Sequence, residues 1–326
     1  MASAQQIKAL LKSHIAGDDE HFFSVAMQVA AHEAKLGHGK LAEELRDLID
    51  QAKVRISASR SPRPTPITRP TGDLAGLLDA SYPKILLKDM VLGDRLREQL
   101  ARIVREHRQY AKIRTHGLSP RRKLLLIGPP GTGKTMTALA LAGELGLPLF
   151  RVKLDALITK FLGETAAKLR LVFDAAAETR GVYFFDEFDA IASQRGLTSD
   201  VGEMRRVLNS FLQMIEQDES DSLIVAATNH PEILDYAVFR RFDDLIEYTL
   251  PSPQEIINTI TSRLGHFAGP HMDWHAVAKV AEGLSYADLT RAADEAIKDA
   301  LIHDRAQVTE IDLQRPIEDR LAIRMK

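Results

Sequence analysis

The sequence contains no cysteine. Disulfides, thiolate zinc sites and cysteine nucleophiles are thereby excluded, and the absence is compatible with a reducing cytoplasm. A charge imbalance is missing too: 43 Lys and Arg stand against 45 Asp and Glu, a formal net charge of -2. No global field draws the molecule to nucleic acid. Long apolar runs are likewise absent. The N-terminus, MASAQQIKALLKSHIAGDDEHFF, lacks the uninterrupted apolar core of a secretory signal, and nothing downstream approaches the length of a membrane span. A cytoplasmic, soluble protein without a membrane partner is expected. What the 326 residues do have is a globular balance, 45% hydrophobic and 27% charged, enough for one large domain with an appendage or for two domains.

Apolar positions recur at helical spacing in Ile7, Leu10, Leu11 and Ile15, in Phe22, Val25, Ala26 and Val29, and in Leu41, Leu45 and Leu48. Gly17 and the Gly37/Gly39 pair break the pattern, so residues 1–55 are expected to form a small N-terminal helical domain. From Ile56 the chain turns to Pro, Ser, Thr and Arg, and a linker is expected over residues 56–80. Lys53 and Arg55 just before it and Arg60, Arg63 and Arg69 within it have no acid between them. No aromatic residue interleaves to stack on bases, which favours a solvated tether over a nucleic-acid arm. Strand-like runs then alternate with helical stretches: KLLLIG, LFRV, VYFFD, LIVAAT and LIEYTL. This pattern predicts an α/β domain, a doubly wound parallel sheet, over residues 81–250. The strands stop at Pro251, and residues 251–326 are expected to form a helical lid.

The strongest local signal is Gly128-Pro-Pro-Gly-Thr-Gly-Lys-Thr135, between the apolar run LLLI and the helical run MTALALAGEL. It satisfies G-x-x-x-x-G-K-[ST] in the strand-to-helix context that the pattern requires. Gly131 and Gly133 let backbone N–H groups close around phosphates while the following helix points its positive end at them. Lys134 can reach the β- and γ-phosphates of ATP, and the Thr135 hydroxyl can ligate Mg²⁺. A second run, Val182-Tyr-Phe-Phe-Asp186-Glu187, ends in two carboxylates. Adjacent side chains at a strand end need not share a face, so Asp186 can help hold Mg²⁺ through its water shell while Glu187 orients the attacking water. Asn229, after the run ending in Thr228, would stand near Glu187 beyond the carboxyl ends of the strands and position a water without adding charge.

In the order and content of these elements the sequence resembles the AAA family of ATPases over approximately Lys84 to Asp304. The resemblance implies ATP hydrolysis with Mg²⁺ in a homo-oligomeric ring, a hexamer, acting on a protein substrate. It implies that Lys134, Glu187 and Asn229 are catalytic, together with the adjacent pair Arg240 and Arg241, which would act as fingers on the neighbouring subunit's ATP. Pro130, Gly131, Thr132, Gly133, Lys134, Thr135 and Met136 would cradle the nucleotide with Asp186. Gly93, in Val91-Leu92-Gly93-Asp94, and Ala287, in the lid segment Gly283 to Leu289, would border the adenine; Tyr286 stands where the family more usually has Gly. Thr159-Lys160-Phe161-Leu162-Gly163-Glu164 resembles the family's first pore loop, with Lys160, Phe161 and Leu162 gripping a polypeptide in the central channel, and a second channel loop would fall within Ser193 to Gly202. The resemblance does not reach residues 1–72, which would select a substrate or adaptor, and delivery to a partner protease is a secondary implication. The competing readings are a nucleic-acid-handling loader or helicase-like factor, using the Arg-rich stretch Arg95 to Lys123, and an ATP-dependent conformational switch.

Overall fold

The computed structural model describes residues 25–27, 29–30, 32–33, 38, 42–43, 70, 72–158, 162–192 and 201–324. The chain divides into two compact units, Met1–Arg63 and Pro64–Lys326. In the first unit, described residues 25–27, 29–30, 32–33 and 42–43 are helical, with Val25, Ala30 and Ala42 buried. The rest of the helical domain expected over 1–55 lies outside the described residues.

The second unit opens with α1 (Asp73–Leu77) and β1 (Leu78–Ser81), then α2 (Asp94–Arg108), α3 (Tyr110–Arg114) and β2 (Lys123–Ile127). It continues through α4 (Lys134–Leu145), β3 (Leu149–Val152), α5 (Leu154–Leu157), α6 (Leu162–Glu178), β4 (Val182–Phe185) and α7 (Asp189–Ala192). After α8 (Val201–Gln217), β5 (Leu223–Thr228), α9 (Tyr236–Phe239) and β6 (Asp244–Glu247) come four lid helices. These are α10 (Pro253–Leu264), α11 (Trp274–Val280), α12 (Tyr286–Ile302) and α13 (Glu310–Arg324).

The five apolar runs of the sequence are the parallel strands β2 to β6, and the sheet order is β1-β3-β4-β5-β2-β6. Every residue of β4 and β5 is buried, as a parallel strand covered on both faces requires. The two-residue period then sorts their side chains. Tyr183, Phe185, Ile224 and Ala226 join Leu169, Phe173, Phe211 and Ile215 of α6 and α8 in one core. Val182, Phe184, Leu223 and Val225 join Leu100, Ile103, Ala138 and Leu141 of α2 and α4 in the other. The sheet is therefore doubly wound.

One segment departs from expectation. Residues 73–80, assigned from composition to the linker, form α1 and all of β1 but its last residue, and β1 pairs antiparallel with β3 in the register Leu78↔Val152 to Ser81↔Leu149. Leu77 and Leu78 are buried in the first core, so burial, not an apolar run, holds this edge strand in place.

The lid has its own core of Ile256, Ile260, Leu264, Val277, Leu289, Ala292, Ala296 and Leu313. Its helices start on strong local signals. Ser252 and Glu255 form a capping box on α10 with Pro253 in the first turn, Asp273 caps α11, and Ser285 with Asp288 forms a second capping box on α12.

Candidate functional site

The glycine-rich loop leaves the carboxyl end of β2 and enters α4. Gly128, Gly131 and Gly133 have φ of +145°, +75° and +101°, conformations that an L side chain rarely adopts. A Cβ on Gly128 would also run into the Tyr248 carbonyl, and one on Gly131 would lie 2.5 Å from Ser285 Oγ. The first turn of α4 leaves N–H groups that no carbonyl four residues back can take, at the positive end of the helix. Thr132 Oγ1 donates to Pro129 O at 2.7 Å. Lys134 is buried, and its Nζ donates to Gly128 O and Pro129 O, both at 2.7 Å. Burial draws its pKa down to about 8, against the opposing pull of Asp186 and Asp189. Pro130 within the loop and Met136 in the first turn of α4 are exposed.

Tyr248, one residue past β6, braces this loop from below. Its hydroxyl donates to Thr137 Oγ1 at 2.6 Å, and Thr137 Oγ1 donates to Gly133 O at 3.2 Å. Burial raises the Tyr248 phenol far above its ordinary pKa. The tyrosine was legible in sequence only as part of an apolar run.

The strand register carries the remaining polar groups to the same edge. β4 neighbours β5, and β5 neighbours β2, so the residues after their carboxyl ends emerge side by side. Thr135 Oγ1 donates to Asp186 Oδ2 at 3.1 Å, bringing together the two groups expected to hold a divalent cation. Asp186 Oδ2 also accepts from Arg151 Nη2 at 2.8 Å, and Asp186 Oδ1 accepts from the Glu187 N–H at 3.1 Å. Glu187 is exposed with φ +51°, a left-handed conformation that costs a non-glycine residue about 1–2 kcal/mol. Strain of this kind persists where the surroundings over-determine it. Here the Phe188 N–H donates to Ala227 O at 2.8 Å, and the Ala190 N–H donates to Glu187 O at 2.8 Å.

Asn229 sits beside this turn through Asp189. Thr228 Oγ1 and the Asn229 N–H donate to Asp189 Oδ1 at 2.9 and 3.4 Å. Asp189 links the Glu187 turn to the end of β5, a role the sequence reading missed. The signal was present three positions after Asp186, as a third acid in Asp186-Glu187-Phe188-Asp189.

The lid closes the other side. Ala287 N–H donates to Gly131 O at 3.1 Å, directly joining α12 to the loop. A Cβ on Gly93 would lie 2.9 Å from Glu255 Oε1, and burial, with the nearby Glu255 carboxylate, raises the pKa of the Tyr286 phenol. Gly93, Glu255, Tyr286 and Ala287 thus gather between α2, α10 and α12.

Arg240 and Arg241 are not part of this gathering. Asp243 Oδ2 accepts from the N–H groups of Arg122 and Lys123, both at 2.9 Å, which ties the arginine segment to the amino end of β2. The phosphate loop leaves the opposite end, about 13 Å away along a strand of this length. Arg240 is exposed with its guanidinium 4.8 Å over the Tyr236 ring, whereas Arg241 Nε lies 3.1 Å from Glu216 Oε2. Phe242 anchors the segment in the core, its ring 6.4 Å from that of Phe188 beside Glu187. Lys160 and Phe161, the side chain of Leu162, and most of the second channel loop lie outside the described residues.

The donor set suits a nucleotide: a left-handed glycine loop, a helix N-terminus, a buried ammonium, and hard oxygen atoms at Thr135 and Asp186 of the kind that a divalent cation accepts. Residues 124–250 match the family model "ATPase family associated with various cellular activities (AAA)". The chain is 37% identical over 321 residues to the uncharacterized AAA family ATPase y4kL of Sinorhizobium fredii, covering 98% of this chain and 96% of the relative. It is 38% identical to the proteasome-activating nucleotidase of Aeropyrum pernix, over 72% of this chain and 60% of that protein. With the ATP-dependent zinc metalloprotease FtsH 4 of Sphaerobacter thermophilus it shares 33% identity, over 75% of this chain but 38% of the metalloprotease. Among solved structures, the FIGL-1 AAA domain superposes with a TM-score of 0.60 at 24% identity, over 75% of this chain and 86% of that domain. That likeness concerns the fold. With the relatives' identity and coverage set beside the site's geometry, the chain is a nucleotide-binding member of the AAA family of ATPases and hydrolyses ATP.

Proposed function

We propose that this ATP hydrolase works as a homo-oligomeric ring, a hexamer, that uses hydrolysis to remodel, unfold or thread a protein substrate in the cytoplasm. The placement of Arg240 carries the proposal: an exposed guanidinium at the amino edge of the sheet, away from the loop that would hold its own subunit's phosphates. An arginine offered to a neighbour makes hydrolysis depend on assembly. The relatives named as a proteasome-activating nucleotidase and as ATP-dependent metalloproteases support a protein substrate and a protease partner.

In this reading Thr135 and, through water, Asp186 hold Mg²⁺, which when bound neutralises charge on the β- and γ-phosphate oxygens. Lys134 gives up its loop carbonyls to the phosphates. Glu187 polarises the attacking water and Asn229 orients it, while Gly93 and Ala287 border the base. Residues 1–55 select the substrate or adaptor, and Lys160, Phe161 and Leu162 grip it. No helix among the described residues is long and apolar enough to cross a membrane.

The nucleic-acid reading gains nothing from the stretch Arg95 to Lys123. Arg102 pairs with Glu106, Arg108 with Glu144, Arg114 with Asp221, Arg121 with Asp244 and Arg122 with Asp218. Much of its positive charge is met within the protein.

The test is capture. Glu187→Gln protein in Mg-ATP, which binds nucleotide without turning it over, should retain defined polypeptides that are absent without ATP and lost when Phe161→Ala is added. Mass spectrometry and a parallel assay for nucleic acid read the result. Retention of nucleic acid that survives the Phe161 change would replace this reading with the loader or helicase-like one. Retention of neither, with slow hydrolysis by the unsubstituted protein that no polymer changes, would favour a conformational switch.

A further inference from the structure

Asp186 Oδ2 is contested. It accepts from Thr135 Oγ1 at 3.1 Å and from Arg151 Nη2 at 2.8 Å, while Asp186 Oδ1 takes the Glu187 N–H. Arg151 reaches this carboxylate because of strand register. It sits opposite Phe184 across the parallel β3–β4 pair, and Asp186 lies two positions beyond Phe184, so its side chain leaves on the same side of the sheet. In the run LFRV the arginine is the one charged residue of an otherwise apolar strand.

The two partners differ in freedom. The Asp186 side chain is 19% exposed and bound by three donors, whereas the Arg151 side chain is 54% exposed and can swing into solvent. A guanidinium and a divalent cation cannot share one carboxylate oxygen without strong repulsion. With Asp186 holding the cation through water, Thr135 and Asp186 therefore serve Mg²⁺ more weakly while Arg151 stays on the carboxylate.

We propose that Arg151 is a positioning residue for the metal side of the site: it holds Asp186 in place in the free protein and competes with Mg²⁺ for it, setting the Mg²⁺ concentration at which the site fills. Arg151 thereby makes productive nucleotide binding sensitive to Mg²⁺ over a range that the Thr135–Asp186 pair alone would not set. This rests on the proposed Mg²⁺ role of that pair.

The experiment measures binding rather than turnover. Fluorescent ATP is titrated into full-length Glu187→Gln protein, and into the same protein carrying Arg151→Met or Arg151→Lys, at Mg²⁺ concentrations from none to saturating. Arg151→Met should lower the half-saturating Mg²⁺ concentration by roughly three- to tenfold, the effect of removing a neighbouring like charge. Its affinity for ATP without Mg²⁺ should stay at the parental value, and Arg151→Lys should keep the parental Mg²⁺ curve. A merely structural arginine would weaken binding equally at every Mg²⁺ concentration. An Arg151→Met curve superposed on the parent's, or displaced to higher Mg²⁺, overturns the proposal. A parental curve that is itself flat in Mg²⁺ overturns the metal role of Thr135 and Asp186, and the Arg151 proposal with it. If Arg151→Met fails to fold, Arg151→Gln serves as the neutral variant, its fold checked by circular dichroism.

Discussion

The two edges of one sheet carry opposite kinds of polar group. At the carboxyl edge many polar side chains are engaged within their own chain: Lys134 with two loop carbonyls, Thr135 and Arg151 with Asp186, and Thr228 with Asp189. At the amino edge Arg241 is paired with Glu216, but its neighbour Arg240 stands in solvent over a tyrosine ring that is itself 69% exposed. A preorganised pocket stabilises developing charge because its dipoles do not have to reorganise. An exposed arginine gains that advantage only when a second surface desolvates it. In the proposed ring, the first edge would be the half-site that binds nucleotide and the second the half-site offered to a neighbouring subunit.

Complementation would break this comparison most directly. Arg240→Ala should reduce hydrolysis by about 10³-fold, the low end of what an arginine finger contributes, with nucleotide binding intact. Lys134→Ala should lose nucleotide binding and hydrolysis together. Mixed in equal amounts, the two inactive proteins should regain ATPase activity, because a subunit with an intact Lys134 can then sit beside one with an intact Arg240. Absence of recovery in assemblies shown to contain both chains would place Arg240 in the service of its own site.

Arg241 sharpens the contrast at a smaller scale. Its ion pair with Glu216 is partly exposed on both sides, and such pairs stabilise by about 0–1 kcal/mol. Arg241→Ala should lower hydrolysis by less than about tenfold, and Glu216→Ala, by freeing Arg241, should leave hydrolysis at or above the parental rate. Steady-state ATPase assays of the two variants would show it. A loss at Arg241 equal to that at Arg240 would mean that the pair opens on assembly and both arginines act across the interface.

The carboxyl edge was largely legible in the sequence, because phosphate chemistry demands fixed residue types at fixed spacing. Gly128 to Thr135, Asp186 and Asn229 were picked out as candidates that way. What was not legible arises from pairings that spacing does not encode. Arg151 meets Asp186 through the β3–β4 register, and Tyr248 meets Thr137 across 111 positions of sequence. Glu255 lies against Gly93 because α10 folds back over the start of α2. β1 escaped notice for a related reason. Leu78-Asp-Ala-Ser has no apolar run, and it becomes a strand by pairing with β3 and burying Leu78. The amino edge was legible only as chemistry: adjacent arginines were visible, but their unequal environments depend on Glu216 and Tyr236.

The buried ammonium of Lys134 ties the carboxyl edge to pH. With its pKa lowered to about 8, Lys134 is charged in the free protein below pH 8 and loses its proton above it. Bound phosphates favour the ammonium, so above pH 8 binding must take up a proton. ATP affinity should be flat below about pH 7 and roughly tenfold weaker at pH 9. Calorimetry in buffers of different ionisation enthalpy would detect the proton taken up. The stability of the free protein runs the other way. Between about 8 and the ordinary value of 10.5 the unfolded chain binds more protons at this lysine than the folded one, so its contribution to stability rises with pH. An affinity unchanged between pH 7 and pH 9 would mean that the lysine is fully charged throughout.

The smallest expected effect tests whether the loop is braced from below. Tyr248→Phe removes the hydroxyl that donates to Thr137 Oγ1 while keeping the ring that fills the core. Thr137 Oγ1 retains its own bond to Gly133 O, so no buried donor is orphaned. The loss should be about 1 kcal/mol, the net value of one hydrogen bond, and the melting temperature should fall by about 2–4 °C. If the bond also holds Gly133 for the phosphates, ATP should recover less of the lost melting temperature in Tyr248→Phe than it adds to the parent. Equal stabilisation of both proteins by ATP would confine Tyr248 to the fold and leave Gly133 to the conformation of the loop alone.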